Sequence, residues 1–343
     1  MRNAIRLTVG VAVSIGCLYL ATRGTEWGDV GRAMARARAG WVAALFVASV
    51  LTVYIRAQRW RVLLRPLGDV PLYPALSATA IGFGASSVLP FRLGEILRPA
   101  LLGRHAGVGL TGALSSVVLE RLFDMLLVIV CFLALSLVYR MPAGLRDGAW
   151  VLGTLATLGF ALLVAMQRNR DFAERLIARI LGWLPARLAR GLTPLGSSFL
   201  NGLGALADIR TVLLVLAYSA YLWGVIVLTF LFGMLALDIG TSWTASHLVA
   251  ASLAVMVVVA AAVFLPQAPG FVGTWQYGCV LALHTIFHVP KEMAVGYSLL
   301  TWVVQMLVNI LTAGVFLARE DFSWREIRGL VSQNAPPAEV EAK

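Results

Sequence analysis

The chain has 343 residues, 59% of them hydrophobic and 13% charged, and its 28 Lys and Arg against 17 Asp and Glu give a net charge of +11. A soluble domain carries about 25% charged residues, so this composition argues against a water-soluble globule. The arginines flank apolar runs and form no single basic face, which argues against nucleic acid as a partner.

The apolar runs are continuous and do not alternate with period two, so a spanning β-barrel is excluded and an all-α polytopic membrane protein is expected. Arg2 and Arg6 precede a run at 7–22 that ends Leu20-Ala21-Thr22-Arg23. With no small-x-small cleavage site there, it reads as an uncleaved first helix. A second spanning helix covers 41–63 and ends in Arg56, Arg59, Trp60 and Arg61. These read as anchors at the interface, with Arg56 within reach of a headgroup phosphate. The segment 75–107 is an apolar run broken part-way, read as a hairpin that dips in and returns. Spanning helices at 111–139 and 149–167 follow.

Between 170 and 206, Phe172, Leu176, Ile180 and Trp183 recur at helical spacing with Arg175, Arg179, Arg187 and Arg190 between them, and Pro185 and Pro194 divide the stretch. It reads either as one or two short helices lying on the cytoplasmic surface against anionic lipids or as a plain connector. A spanning helix at 211–237, a second broken hairpin at 244–287 and a last spanning helix at 293–318 complete the set: six full crossings and two broken re-entrant hairpins. The domain boundaries are one membrane domain over 1–332 and a disordered tail over 333–343. Within the domain, the first half is about 1–167, the interfacial linker 168–210 and the second half 211–320.

Lys and Arg accumulate on the cytoplasmic side of a membrane protein. With both termini inside and both hairpins re-entrant, inside segments hold 19 of them and outside segments 7, while Arg92 and Arg121 lie at membrane depth. That bias predicts a multi-pass protein of the cytoplasmic (inner) membrane with both termini cytoplasmic. The segment 23–38, with four arginines on the outer side, departs from it.

The two hairpins break in the same way. The first reads Leu89-Pro90-Phe91-Arg92-Leu93-Gly94-Glu95 and the second Leu265-Pro266-Gln267-Ala268-Pro269-Gly270-Phe271-Val272-Gly273. Proline removes an N–H and clashes with the preceding turn, so each run must stop. Broken backbone at membrane depth survives only where protein or a wet cavity surrounds it. In the topology above the hairpins enter from opposite sides. A pair of Gly/Pro-interrupted segments in corresponding halves points to a transporter's binding site. Pro90, Gly94, Pro266, Pro269, Gly270 and Gly273 are therefore expected to form a gate or a backbone lining.

Charges also lie too deep. A charge at the centre of a spanning helix costs roughly 2.5–3.5 kcal/mol on insertion scales. Glu120, Arg121 and Asp124 stand inside the helix at 111–139, with Glu120 and Asp124 on one face. Arg92, Glu95 and Arg98 follow the first break at spacings of three. In the plainer reading Glu95 pairs with Arg121, and Asp124 with another arginine, only to satisfy buried charge. In the sharper one the arginines hold a phosphate while the carboxylates hold a cation or carry protons. A buried ion pair stabilises poorly compared with apolar packing, which favours the sharper reading. The expected substrate-binding set is Arg56, Arg92, Glu95, Arg98, Glu120, Arg121 and Asp124.

His284 and His288, four apart, have no third ligand in view, and Cys17, Cys131 and Cys279 have no metal spacing, so no metal is expected. No nucleophile elbow, phosphate loop or dinucleotide fingerprint occurs, so neither an enzyme nor a cofactor is expected.

Arg56-x-x-Arg59-Trp60, Leu89-Pro90-x-Arg92-x-Gly94-Glu95-x-x-Arg98-Pro99, Glu120-Arg121-x-x-Asp124 and Pro269-Gly270-x-x-Gly273 together resemble the flippase-like membrane region of lysylphosphatidylglycerol synthases, over about 5–320. Members often carry asparagine near Ser86 or Ser87, a second glycine at Phe271 and an acid at Gln276. The aminoacyl-transfer domain that makes the lysyl lipid is absent from this sequence. The resemblance implies movement of a phospholipid or a polyprenyl-phosphate-linked lipid between leaflets. The alternative expectation is an accessory scaffold for a lipid-modifying or glycosyl-transferring enzyme. The expected partner is a lipid with a phosphate-containing headgroup; a homo-oligomer or an enzyme partner is compatible with either reading.

Overall fold

The computed structural model describes residues 2–89, 93–106, 108–139, 143–183, 186–263 and 268–320. The described residues form helices and no strand. In chain order these are α1 (Arg2–Thr22), α2 (Trp27–Ala35), α3 (Ala39–Leu64), α4 (Leu72–Val88), α5 (Leu93–Ala106), α6 (Leu110–Ser136) and α7 (Ala143–Arg168). They continue with α8 (Arg170–Leu181), α9 (Ala186–Gly202), α10 (Ile209–Ala236), α11 (Ala245–Val263), α12 (Thr274–Val280) and α13 (Lys291–Arg319). The chain is a multi-pass α-helical membrane protein. Among the described residues, five stretches are long and apolar enough to cross a bilayer: Ala39–Leu67, Arg146–Arg168, α10, α11 and α13. At 27 residues α6 is long enough too, but Glu120, Arg121 and Asp124 interrupt its apolar run.

Local chemistry sets several helix ends. Asp208 caps α10 by accepting from the backbone N–H groups of Arg210 and Thr211, both at 3.1 Å. Asn169 caps α8 through Phe172 N at 2.9 Å. Each side chain satisfies donors that the first turn leaves without a helical partner. The stretch 170–206 forms two helices, α8 and α9, with Trp183 87% exposed beside them. In the segment 23–38, α2 interrupts what the sequence suggested was loop. Arg32 pairs there with Asp29, and Arg38 with Asp238 at 2.7 Å.

Both broken segments fold back as antiparallel pairs. In the first, α5 returns along α4 with Gly94 against Gly82, where a Cβ on Gly94 would overlap the Gly82 carbonyl oxygen. In the second, α12 and the π-helical turn Leu281–Ile286 return along α11. Gly278 lies against Val259, and Phe287 lies 5.2 Å from the ring of His247. The first limb differs from expectation in length. No helix breaker precedes Pro266, so α11 runs for 19 residues, enough to cross a bilayer by itself.

The two tips meet against the middle of α13. A Cβ on Gly270 would lie 3.1 Å from Ser87 O. Asn309 Nδ2 donates to Ser87 Oγ at 3.0 Å, and Trp302 Nε1 donates to Gly270 O at 2.7 Å. From there the pairs diverge along α13. Gly84 and Tyr73 pack on Ala313 and Phe316 towards its C-terminus, whereas Trp275 bonds Thr301 towards its N-terminus. Pro90 and Pro266, predicted to force the breaks, lie outside the described residues, as does the tail from 321.

Candidate functional site

An ion cluster sits where α3, α5 and α6 meet. Arg59 is at its centre and fully buried. Its two terminal nitrogens donate to both oxygens of Asp124, at 2.6 and 3.1 Å, the forked geometry that suits a carboxylate. The same nitrogens reach Glu120 Oε1 at 3.0 Å and Ser219 Oγ at 3.1 Å. Glu120, also fully buried, takes two further arginines: Arg98 Nη1 at 3.4 Å and Arg121 Nη2 at 3.2 Å. Arg98 stacks on the Trp60 ring, 4.3 Å from its centroid, and donates to Thr79 Oγ1 at 3.3 Å. Trp60 is itself fixed by donating to Ser116 Oγ at 2.8 Å. Arg98 passes close over Gly82, where a Cβ would strike its Cγ, so that glycine makes the space for the guanidinium stem.

The structure brings Arg98, Glu120, Arg121 and Asp124 together, and adds two residues of α3 that the sequence placed elsewhere. Arg59 and Trp60 are not interfacial anchors. α3 continues through the buried Leu63 and Leu64, so Arg59 lies inside the bundle and supplies the arginine that Asp124 needs. Asp124 also accepts from Trp223 Nε1 at 3.0 Å. Glu95 does approach Arg121, at 4.0 Å, and both remain about a third exposed. Arg92 lies outside the described residues.

Beside the cluster is a cavity of about 200 Å³. Arg56, Glu95, Arg121 and Asp124 line one side; Gln305, Asn309, Phe271 and Trp275 line the other. Asp124, Trp223 and Gln305 each sit at the middle of their helices, α6, α10 and α13. Arg56 lies over the Phe83 ring, 5.0 Å from its centroid, and makes no ion pair among the described residues. Among the described residues it is the one lining arginine without an ion-paired carboxylate. Ser219, Trp223, Gln305 and Asn309 carried no signal in the sequence, since lone polar residues in apolar helices are common.

The second break is braced from α1 as well as from α13. Ala268 N donates to Ser14 Oγ at 2.7 Å, and a Cβ on Gly273 would overlap the Ser14 carbonyl. Gly270 and Gly273 have φ of 69° and 84°, the left-handed region that glycine enters without penalty. Gln276 Oε1 accepts from Gly273 N at 2.7 Å and closes the start of α12. Of the six residues expected to gate or line, Gly94 serves the α4–α5 contact, and Pro269, Gly270 and Gly273 shape the second tip. His284 Nδ1 meets Val289 O at 2.9 Å, a local tie between the π turn and the loop before α13.

A family model described as the lysylphosphatidylglycerol synthase TM region matches residues 7–313. The chain belongs to this family. No curated protein and no solved structure matches it. Membership of the lysylphosphatidylglycerol synthase TM family ties the chain to membrane lipids. The match ends close to the C-terminus of α13, so both broken segments, the ion cluster and the cavity all lie within it.

Proposed function

We propose that the protein moves a phosphate-bearing lipid between the leaflets of the inner membrane, the headgroup passing through the cavity between the two broken hairpins. One observation carries this reading: Arg56, with no ion-paired carboxylate among the described residues, faces a mid-depth cavity floored by a fixed ion cluster. A phosphate is the ligand that a spare arginine recognises best. An apolar groove of about 320 Å³ between α6, α7, α11 and α12 shares Val128 with the polar cavity. That leaves room for an acyl or prenyl chain beside the headgroup path.

The meeting of the two tips at the middle of α13 supports hairpins entering from opposite faces, an inverted pair, with α11 long enough to reach across by itself. The arginine bias supports a cytoplasmic position for the end with 65–71, 108–109 and α8–α9. Arg56 and Arg121 would hold the phosphate, while Arg59, Arg98, Glu120 and Asp124 hold one another and fix the floor. Because arginines already engage Glu120 and Asp124, neither is available as a base.

The test is a leaflet-sidedness assay in proteoliposomes with fluorescent phospholipids. Wild type should speed transbilayer exchange and Arg56→Ala should not. Exchange no faster than in protein-free vesicles, with a co-purifying enzyme instead, would favour the scaffold role.

A further inference from the structure

The cavity's charge and hydrogen-bonding pattern discriminate between headgroups. Among the described residues around it there are four arginines, Arg56, Arg59, Arg98 and Arg121, against three carboxylates, Glu95, Glu120 and Asp124. Each carboxylate is engaged. Asp124 takes both terminal nitrogens of Arg59 and the Trp223 N–H. Glu120 takes three arginines, and Glu95 faces Arg121. An ammonium group entering here meets surplus positive charge and carboxylates that are already occupied. A phosphate meets the opposite, a fixed positive field in a partly desolvated site.

The facing wall is neutral. On α13, Gln305 Nε2 donates to Asn309 Oδ1 at 3.0 Å, and Asn309 in turn donates to Ser87. This one-way chain leaves the Gln305 side-chain oxygen as an acceptor with no partner among the described residues. A primary amide and a hydroxyl each offer donor and acceptor, so they match in either direction. Trp275 and Trp223 also line the cavity, their N–H groups tied to Thr301 and Asp124. With those N–H groups committed, the two indoles contribute apolar surface to the lining, of the kind that the C–H face of a polyol or sugar packs on.

Resting on the translocation reading above, we infer that the lipid's headgroup is anionic at its phosphate and otherwise uncharged and hydroxyl-rich, a polyol or sugar and not an amine. Binding to the purified full chain in detergent, with acyl chains held constant, tests this. The probes are phosphatidylglycerol and phosphatidylinositol against phosphatidylethanolamine. Wild type should bind the two hydroxyl lipids at least about tenfold more tightly, corresponding to about 1.4 kcal/mol. Gln305→Glu, nearly isosteric, should shift the ratio towards phosphatidylethanolamine by about tenfold. Equal or tighter binding of phosphatidylethanolamine by wild type would overturn the inference, as would an unchanged ratio in Gln305→Glu. Because binding is read separately from exchange, the two readings can fail independently. Absent exchange with this preference intact refutes translocation alone. Exchange without the preference refutes the headgroup inference alone.

Discussion

Arg59→Met removes the hub of the buried cluster while keeping an unbranched side chain of similar reach. Four hydrogen bonds disappear: two to Asp124, one to Glu120 and one to Ser219. Breaking a buried ion pair by deleting one partner costs about 3–5 kcal/mol, because the remaining charge stays desolvated. Here the loss falls unevenly. Glu120 keeps Arg98 and Arg121, whereas Asp124 keeps only the Trp223 N–H and Arg121 at 3.8 Å. The cost should therefore lie near about 3 kcal/mol, most of it through Asp124. Asp124→Asn alone leaves Arg59 with Glu120 as its charged partner, and the double variant removes both charges together. A double-mutant cycle by reversible unfolding in mixed micelles should show coupling of about 1–3 kcal/mol. A cost below about 1 kcal/mol for Arg59→Met, or additive single costs, would refute the hub.

Other outcomes follow from the same geometry. Arg56→Ala should lower stability by no more than about 1 kcal/mol, the worth of its contact with Phe83, yet remove lipid exchange; a chemical unfolding curve beside the vesicle assay separates the two. Gly94→Ala should cost at least about 1–3 kcal/mol through backbone overlap with Gly82. Gly224→Ala, with open space around its Cβ in α10, should be neutral in the same melt. Asp208→Ala should speed amide exchange in the first turn of α10. The Thr211 hydroxyl and nearby N–H groups hold the Asp208 carboxyl below its usual range. Its contribution is thus complete above the unfolded carboxylate value of about 3.9. It fades as pH falls through the lower folded value, where the exchange rates of variant and wild type should converge.

The membrane class, the two breaks and the charged face of α6 are legible in the sequence because each is a local pattern: continuous apolar runs, Leu-Pro pairs, an acid four residues from another. The role of Arg59 is not. A cluster of arginines and a tryptophan near a helix end has the same appearance at an interface and in a core. Only the packing of Leu63 and Leu64 beyond them decides. Likewise the length of α11 follows from the absence of a breaker before Pro266, but its pairing with the π turn depends on contacts far apart in the chain. Gln305 and Asn309 become meaningful only once the two tips are seen to meet against the middle of α13. The packing also decides which variants are informative. Glu120→Gln and Arg98→Ala would disturb the cluster that fixes the floor, so loss of transport in them would not separate structure from function. Arg56 has no such second role.

The most direct measurement is therefore transbilayer exchange of a fluorescent phosphatidylglycerol in proteoliposomes holding wild type or Arg56→Ala at equal density, with folding checked by the same unfolding curve. The account predicts exchange well above protein-free vesicles for wild type and a return to the protein-free rate for a folded Arg56→Ala. Equal rates in the two proteins, or no acceleration by wild type for any phosphate-bearing lipid, would contradict it.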